Sequence, residues 1–255
     1  DSADNLKVIS KYGAGVNNID VQAASKKKII VTFSPNQNAV ADLAIGLMLC
    51  LARRICEANI SVKAGRWERP FVGVELWQKT LGVIGAGRIG QAVIKRVKGF
   101  EMRVLVYDTL KDKKLSEELQ FEYTSLEKLL KESDFISVHV PLNDKTKNLI
   151  GSREIQLMKS SAYLINTARG GIVDEKALYQ ALKEKKLAGA ALDAHVQEPP
   201  FTNSPLLQLD NVLVTPHMGA DSKETLKNMD LVAAENVLRV LRGESPLYAI
   251  NYPVA

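Results

Sequence analysis

Three short segments of this chain combine charged side chains with glycine or proline in a way that suits acid–base chemistry. They are Asn166-Thr-Ala-Arg-Gly-Gly171, Leu192-Asp-Ala-His-Val-Gln-Glu-Pro-Pro200 and Val214-Thr-Pro-His-Met-Gly219. Histidine exchanges a proton near neutral pH, a carboxylate on its far ring nitrogen orients the ring, and an arginine fork grips a carboxylate. Arg169, Glu198 and His217 are therefore candidates for a site that reduces a ketone, or oxidises the alcohol, of an anionic substrate by hydride transfer.

The chain has three histidines, so the proton carrier can be sorted by context. His139 lies in an apolar run that predicts a strand, and we interpret it as a core side chain with satisfied hydrogen bonds. His195 follows a predicted strand end and competes with His217. We prefer His217, because the Pro-His-x-Gly context presents an imidazole at a turn.

A glycine motif predicts that the chain binds a dinucleotide. Gly85, Gly87 and Gly90 have the G-x-G-x-x-G spacing, after the apolar run 81–84 and before a helical stretch. The glycines permit a tight turn, close backbone approach to the pyrophosphate and close helix packing, while the helix N-terminus attracts the phosphates. The next predicted strand ends on Asp108, whose carboxylate can bind the adenosine ribose and repels a 2′-phosphate. This favours NAD over NADP.

Composition and charge exclude several classes of protein. The chain has 255 residues, of which 46% are hydrophobic and 25% charged, as in an ordinary globular protein with ample core. The net charge of +5 is spread over lysine clusters near acids or predicted helix ends, so we expect solvated faces and no nucleic-acid partner. The most apolar run, 39–52, is too short to span a bilayer and contains Asp42, so no membrane partner is expected.

The two cysteines indicate the redox state of the compartment in which the protein works. Cys50 and Cys56 lack the C-x-x-C spacing and lie in one apolar helical stretch, which is typical of buried thiols in a reducing cytoplasm. The first residues show no secretory leader pattern. We expect no bound metal ion.

From residue 80 onward the chain alternates predicted strands and helices. Apolar runs that read as strands end near Ile84, Tyr107, Val140, Asn166, Asp193 and Thr215, and helices are predicted over 126–132 (capped by Ser125), 152–158 and 174–186. Near-continuous apolar strands alternating with helices predict a Rossmann-type α/β fold, a doubly wound parallel sheet covered on both faces. Because ligands bind beyond the carboxyl ends of such strands, the loops after them should converge on one crevice.

Two flanks fall outside that sheet. Residues 7–16 are predicted to form a strand that runs into a glycine turn, and another short strand is predicted at 29–32. Asn38 is predicted to cap a long apolar helix that ends near Arg53, and an amphipathic helix over 222–242 closes on Gly243.

Five segments occur with the residues, and in the order, of a known enzyme family. They are Tyr12–Asp20, the glycine motif, Asn166–Gly171, Leu192–Pro199 and Thr215–Gly219. In these segments the chain resembles the D-2-hydroxyacid dehydrogenases. The stretches Gly73–Gly82 and Tyr248–Pro253 are most similar to the branch that acts on 3-phosphoglycerate, while glyoxylate, hydroxypyruvate and lactate remain alternatives.

The resemblance implies NAD as cofactor, a small anionic 2-hydroxy or 2-oxo acid as substrate, and a role for each matching position. Arg169 would bind the substrate carboxylate and ketone oxygen, His217 would be the general acid and base, and Glu198 its carboxylate partner. Other implied substrate contacts are Lys11, Ala14, Gly15 and Asn36. The implied cofactor contacts are Gly85, Gly87, Arg88, Ile89, Gly90, Asp108, Val140, Pro141, Thr167, Ala168, Arg169, Asp193 (at the nicotinamide carboxamide), His217, Gly219 and Ala220.

The resemblance also implies a domain plan and two departures. Residues 36–225 would form the NAD-binding Rossmann domain, and residues 1–35 and 226–255 would be parts of an incomplete flavodoxin-like α/β substrate lobe, because the family has a further segment before the first strand here. The family usually places a bulky apolar residue where this chain has His195.

Two further expectations concern partners. An NAD(H)-sensing corepressor with the same fold and the same Arg/Glu/His set is the alternative from another functional class. A homodimer is expected, because the helix over 38–53 is very apolar and the equivalent region supports a dimer in the family.

Overall fold

The computed structural model describes residues 4–252 and divides into two compact units. Within the described residues, one unit takes in the chain up to Ala39 and from Ala220 onward, and the other spans Val40–Gly219. The domain boundaries at 36 and 225 stay predictions, and positions 1–3 and 253–255 of the predicted substrate lobe lie outside the described residues. No helix within 4–252 is long and apolar enough to cross a membrane.

The described residues form nine strands and nine α-helices. In chain order they are β1 (Val8–Lys11), α1 (Val21–Lys26), β2 (Ile30–Phe33), α2 (Gln37–Arg53), α3 (Ile55–Lys63), β3 (Thr80–Ile84), α4 (Arg88–Val97), β4 (Arg103–Tyr107), α5 (Lys113–Leu119), β5 (Glu122–Tyr123), α6 (Leu126–Glu132), β6 (Phe135–Val138), α7 (Ser152–Gln156), β7 (Tyr163–Asn166), α8 (Glu175–Lys183), β8 (Gly189–Leu192), β9 (Val212–Val214) and α9 (Lys223–Leu241).

The larger unit contains a seven-stranded sheet in the order β5-β4-β3-β6-β7-β8-β9. Every pair of neighbours is parallel, so all carboxyl ends lie at one edge. Successive residues of a strand enter different apolar clusters: Leu164 packs in one and Ile165 in the other. The sheet is thus buried on both faces, which confirms the predicted doubly wound α/β fold.

The smaller unit contains a two-stranded parallel sheet, β1 beside β2, and helix α9. The Ser10 hydroxyl donates to the Ala233 carbonyl at 3.0 Å, which ties β1 to α9. Asn251 joins the chain's end to β2: its Oδ1 accepts from the Val31 N–H at 2.7 Å. Ser222 caps α9 by accepting from the Thr225 N–H.

The apolar helix α2 differs from expectation in its start and in its surroundings. It begins at Gln37, so Asn38 is its second residue and not its cap. Its apolar residues Ala41, Ala44, Leu47, Met48 and Ala52 are buried in one of the two clusters that flank the large sheet. Burial within the chain therefore explains its hydrophobicity, which is not by itself evidence for a partner.

Other differences are local. Arg54 has φ 52° and separates α2 from α3, a helix that the sequence interpretation missed together with α1 and α5. Strand β6 ends at Val138, so His139 lies just beyond the strand and not inside it.

Candidate active site

The loop between β3 and α4 has the shape that each motif glycine was expected to permit. Gly85 has φ 99°, and a Cβ there would lie 2.8 Å from the His139 carbonyl oxygen. A Cβ on Gly90 would overlap the Gly85 carbonyl. Above Gly87 the space is open: apart from the two adjacent residues, no atom of residues 4–252 lies within 4 Å of a Cβ built there. The loop can therefore admit a pyrophosphate against its backbone at the N-terminus of α4, which fits NAD.

Asp108 lies just after β4 and is fixed beside this loop. Its Oδ2 accepts from the Ala86 N–H at 2.7 Å, and its Oδ1 accepts from the Leu110 N–H at 3.0 Å. A carboxylate offers about four acceptor positions, so both oxygens retain capacity for ribose hydroxyls. This geometry supports the predicted ribose contact.

The loop after β6 packs against the glycine loop. Val140 Cγ1 would lie 2.9 Å from a Cβ on Gly85, and Pro141 follows at the exposed surface. Burial lowers the pKa of His139 to about 3, so its ring is neutral at physiological pH. Its Nε2 hydrogen-bonds the Ser137 hydroxyl at 2.8 Å, but its buried Nδ1 has no partner among the described residues. The expectation that His139 is a fully satisfied side chain is therefore wrong.

The turn that carries Arg169 is held by Asn166 at the end of β7. Asn166 Oδ1 accepts from the Ala168 N–H at 3.1 Å, and its Nδ2 donates to the Arg169 carbonyl at 2.9 Å. The Arg169 guanidinium is half-buried and donates to the Ala168 carbonyl at 2.6 Å. Thr167 Oγ1 is buried without a partner in the described chain, as expected of an atom that completes its bonds with a ligand.

Asp193, at the end of β8, ties the His217 loop to the sheet. Its buried carboxylate accepts from the Thr215 hydroxyl at 2.6 Å and from the N–H groups of Met218 and Gly219, both at 2.9 Å. About one acceptor position remains for a nicotinamide carboxamide. The structure thus shows an anchoring role for Asp193 that the sequence interpretation missed.

His217 and Glu198 form a direct pair. His217 Nδ1 lies 2.9 Å from Glu198 Oε1 and 2.8 Å from Oε2. Burial would raise the pKa of Glu198, but hydrogen bonds from the His195 N–H and the His217 ring outweigh it and hold the pKa below its ordinary value. An ionised carboxylate can only accept, so Nδ1 carries the ring proton and Nε2 is left as the acceptor nitrogen of the neutral ring.

His217 differs from His195 in its backbone conformation and in its burial. Its φ of 55° places a non-glycine residue in the left-handed region, as at seven other described positions, and its ring is exposed beside Glu198. His195, by contrast, is buried, and its Nε2 bonds the Thr215 carbonyl at 3.3 Å. The contrast supports His217 as the proton carrier and a packing role for His195.

The remaining predicted substrate contacts lie in the smaller unit. Lys11 ends β1 and is half-buried, and Ala14 and Gly15 follow the turn at Gly13, which has φ 103°. Asn36 Oδ1 is buried with no partner among the described residues. The roles of these four residues stay predictions, as do those of Arg88 and Ile89 in the first turn of α4 and of Gly219 and Ala220.

A parallel sheet with an open glycine loop at its carboxyl edge, and an acid fixed beside that loop, defines a Rossmann-type dinucleotide-binding domain. Residues 45–219 match the family described as "D-isomer specific 2-hydroxyacid dehydrogenase, NAD binding domain". The chain belongs to this family, and the cofactor of its Rossmann domain is NAD.

Relatives of the chain carry more than one substrate name. It is 49% identical to D-3-phosphoglycerate dehydrogenase of Methanocaldococcus jannaschii over 99% of this chain and 49% of that protein. It is 44% identical to glyoxylate reductase of Korarchaeum cryptofilum over 100% of this chain and 79% of that protein. The structure of D-lactate dehydrogenase from Aquifex aeolicus complexed with NAD and lactic acid superposes with a TM-score of 0.86 at 36% identity, over 94% of this chain and 77% of that one. The chain thus spans about half the length of its phosphoglycerate dehydrogenase relative.

Proposed function

We propose that this protein is an NAD-dependent oxidoreductase that interconverts a D-2-hydroxy acid and its 2-oxo acid, with 3-phosphoglycerate as the preferred substrate. The observation that carries the proposal is the Nδ1 contact between His217 and the Glu198 carboxylate at 2.8 Å. It fixes the tautomer in which Nδ1 carries the ring proton and Nε2 can accept one, in an NAD-binding domain of this family. Bound NAD supplies the hydride acceptor or donor.

The residues of the chain divide the remaining chemistry. In the oxidation direction His217 Nε2 takes the proton of the substrate hydroxyl, and Glu198 stabilises the imidazolium that forms. In the reduction direction the same ring returns the proton to the ketone oxygen. Arg169 binds the substrate carboxylate through two parallel N–H bonds, which fixes the reacting carbon relative to His217.

The substrate preference has support on two sides. Phosphoglycerate dehydrogenase is the name of two relatives at 49% and 46% identity, which supports 3-phosphoglycerate. Glyoxylate reductases match over 79–80% of their length, which makes glyoxylate the second candidate. In both cases we propose Lys11, Ala14, Gly15 and Asn36 as further contacts from the substrate lobe, made up of residues 1–35 and 226–255.

The test is NADH oxidation, followed by absorbance, with 3-phosphohydroxypyruvate, glyoxylate, hydroxypyruvate and pyruvate. It should be run on this chain and on a version extended to the length of its relatives. Fastest turnover of 3-phosphohydroxypyruvate supports the proposal, whereas fastest turnover of glyoxylate moves the assignment to the second candidate. Tight NADH binding without turnover of any acid by either version refutes the enzyme and favours an NAD(H) sensor.

Two further properties belong to the proposal. We propose a homodimer, supported by exposed apolar side chains on α3 and the segment after it: Ile60, Trp67, Val72 and Trp77 are 63%, 84%, 83% and 53% exposed. Light scattering should give twice 28.0 kDa, and a mass of 28.0 kDa at working concentration refutes the dimer. Cys50 and Cys56 are free thiols that are half-buried and not fully buried as expected, and they support a reducing, cytoplasmic location.

A further inference from the structure

The peptide between His195 and Val196 is held from two sides. The Val196 N–H donates to Oε1 of Glu175 at 2.7 Å, across 21 residues of sequence. From the other side, Gly170 approaches so closely that a Cβ there would overlap the His195 carbonyl group. The Val196 side chain is 63% exposed, so apolar packing contributes little to holding this peptide.

The same peptide leads directly to the partner of His217. The His195 N–H donates to Glu198 Oε1 at 3.0 Å, and that oxygen also faces His217 Nδ1 at 2.9 Å. Glu198 is two residues beyond Val196 and has an exposed side chain. A shift of the 195–196 peptide would therefore move the carboxylate that sets the tautomer of His217.

Glu175 sits on a rigid support. It is the first residue of α8, whose N-terminus is capped by Asp174 through the N–H groups of Lys176 and Ala177. The apolar face of the helix, with Leu178, Ala181 and Leu182, is buried in the apolar cluster that contains Leu164 of the large sheet. A carboxylate in the first turn of a helix is also favoured by the helix dipole.

We propose that Glu175 is a positioning residue of the active site: it holds the 195–196 peptide so that the Glu198 carboxylate meets His217 Nδ1. It does so by accepting one backbone hydrogen bond, without contact with the reacting atoms. This inference rests on the proposed function of His217. On this proposal, activity depends on an acceptor oxygen at residue 175 and not on its negative charge.

Three variants of the same helix separate positioning from a general structural effect. Glu175→Ala removes the acceptor, Glu175→Gln keeps an acceptor oxygen without the charge, and Gln180→Ala changes an exposed side chain of α8 as a control. We expect Glu175→Ala to lower kcat by at least about tenfold, with the Kd for NADH unchanged, because small misplacements of catalytic groups have effects of this size. Glu175→Gln should stay within about threefold of the wild type, and Gln180→Ala should match it.

A second readout does not depend on turnover. Nitrogen NMR shifts of the His217 ring, read through its carbon-bound protons, report which ring nitrogen carries the proton. The chain's three histidines keep the assignment simple. The wild type and Glu175→Gln should show the Nδ1–H form, and Glu175→Ala should show a mixture with the Nε2–H form.

These readouts distinguish the two proposals. If the wild type turns over no acid, the proposed function fails, and the ring shifts still decide the role of Glu175. The positioning role is overturned if Glu175→Ala keeps the ring shifts of the wild type, or if the wild type itself lacks the Nδ1–H form. The positioning role is also overturned if Glu175→Gln and Glu175→Ala lose the same fraction of kcat and that fraction equals the loss of folded protein in each variant.

Discussion

Replacing Gly170 by alanine should separate activity from stability at this site. The added Cβ would overlap the carbonyl group of His195 and approach the nitrogen of Val196. These are backbone atoms, so no rotamer change relieves the overlap, and the two loops must move apart by more than an ångström to restore an ordinary contact. Overpacking of this kind costs about 1–3 kcal/mol of stability. The displaced loops carry Arg169 and Glu198, so we expect kcat/KM to fall by about 100-fold.

The neighbouring glycine provides a matched control. Gly171 has φ 80°, and the nearest atom to a Cβ there is a Leu142 methyl at 3.8 Å. Gly171→Ala therefore costs about 1–2 kcal/mol of backbone strain, a similar loss of stability, without an overlap between loops. Urea unfolding and NADH-dependent turnover should be measured on both variants. If Gly170→Ala keeps kcat/KM within about threefold of Gly171→Ala at comparable stability, the proposed contact between the loops does not govern the site.

Three further predictions follow from individual side chains. Burial lowers the pKa of His139 to about 3 in the folded state. Below the ordinary pKa of 6.5 the unfolded chain therefore binds a proton that the folded chain does not, and the folded state loses stability as the pH is lowered. His139 should account for a loss of about 2–3 kcal/mol in the free energy of unfolding between about pH 6.5 and 4.5. Urea unfolding of His139→Gln should show that this loss is gone. An equal pH dependence of stability in both proteins contradicts the prediction. Asp108→Ala removes the acceptor of the Ala86 N–H and the charge that opposes a 2′-phosphate. Fluorescence titration should therefore show at least about tenfold weaker NADH binding and a smaller preference for NADH over NADPH. An unchanged preference for NADH counts against the ribose contact. Glu198→Gln can donate to His217 Nδ1 and favour the Nε2–H form, so kcat should fall by about 10²–10⁴-fold, and near-normal turnover contradicts the role of the carboxylate.

Much of the fold was predictable because burial on both faces leaves a strong sequence pattern. The strands that flank the glycine motif and those that end at Asn166 and Leu192 are short apolar runs, and the structure confirms each of them. The helix cap at Ser125 was also predictable from its local signature, since its side chain accepts from the Lys128 N–H three residues on. Local chemistry was sufficient in these places.

The errors arose where tertiary contacts decide. Helix α2 looked too apolar for a monomer, but its Ala and Leu residues pack within the same unit, which no local pattern reports. His139 was assigned to a strand that ends one residue earlier, and its unpartnered Nδ1 depends on which side chains surround it. Helix α3 was not predicted as a separate element, because no local pattern reports that Arg54 adopts the left-handed conformation and divides the apolar stretch into two helices.

The candidate site shows the same division. Arg169, Glu198 and His217 could be named from residue type and motif, whereas the links between their loops could not. Asp193 binds Thr215 and Met218 across more than 20 residues, and Glu175 binds Val196 across 21. Such contacts follow from the register of β7, β8 and β9, which places the three loops side by side.

The role of His217 is tested most directly by comparing His217→Ala with His195→Ala in the same NADH-dependent assay with the preferred 2-oxo acid. We predict that His217→Ala lowers kcat by at least about 10³-fold with NADH binding retained, because the group that carries the proton is gone. His195→Ala should keep turnover within about tenfold of the wild type, because its buried ring bonds the Thr215 carbonyl and not Glu198 or His217. Near-normal turnover by His217→Ala together with loss of activity in His195→Ala would contradict the assignment on which the proposed mechanism depends.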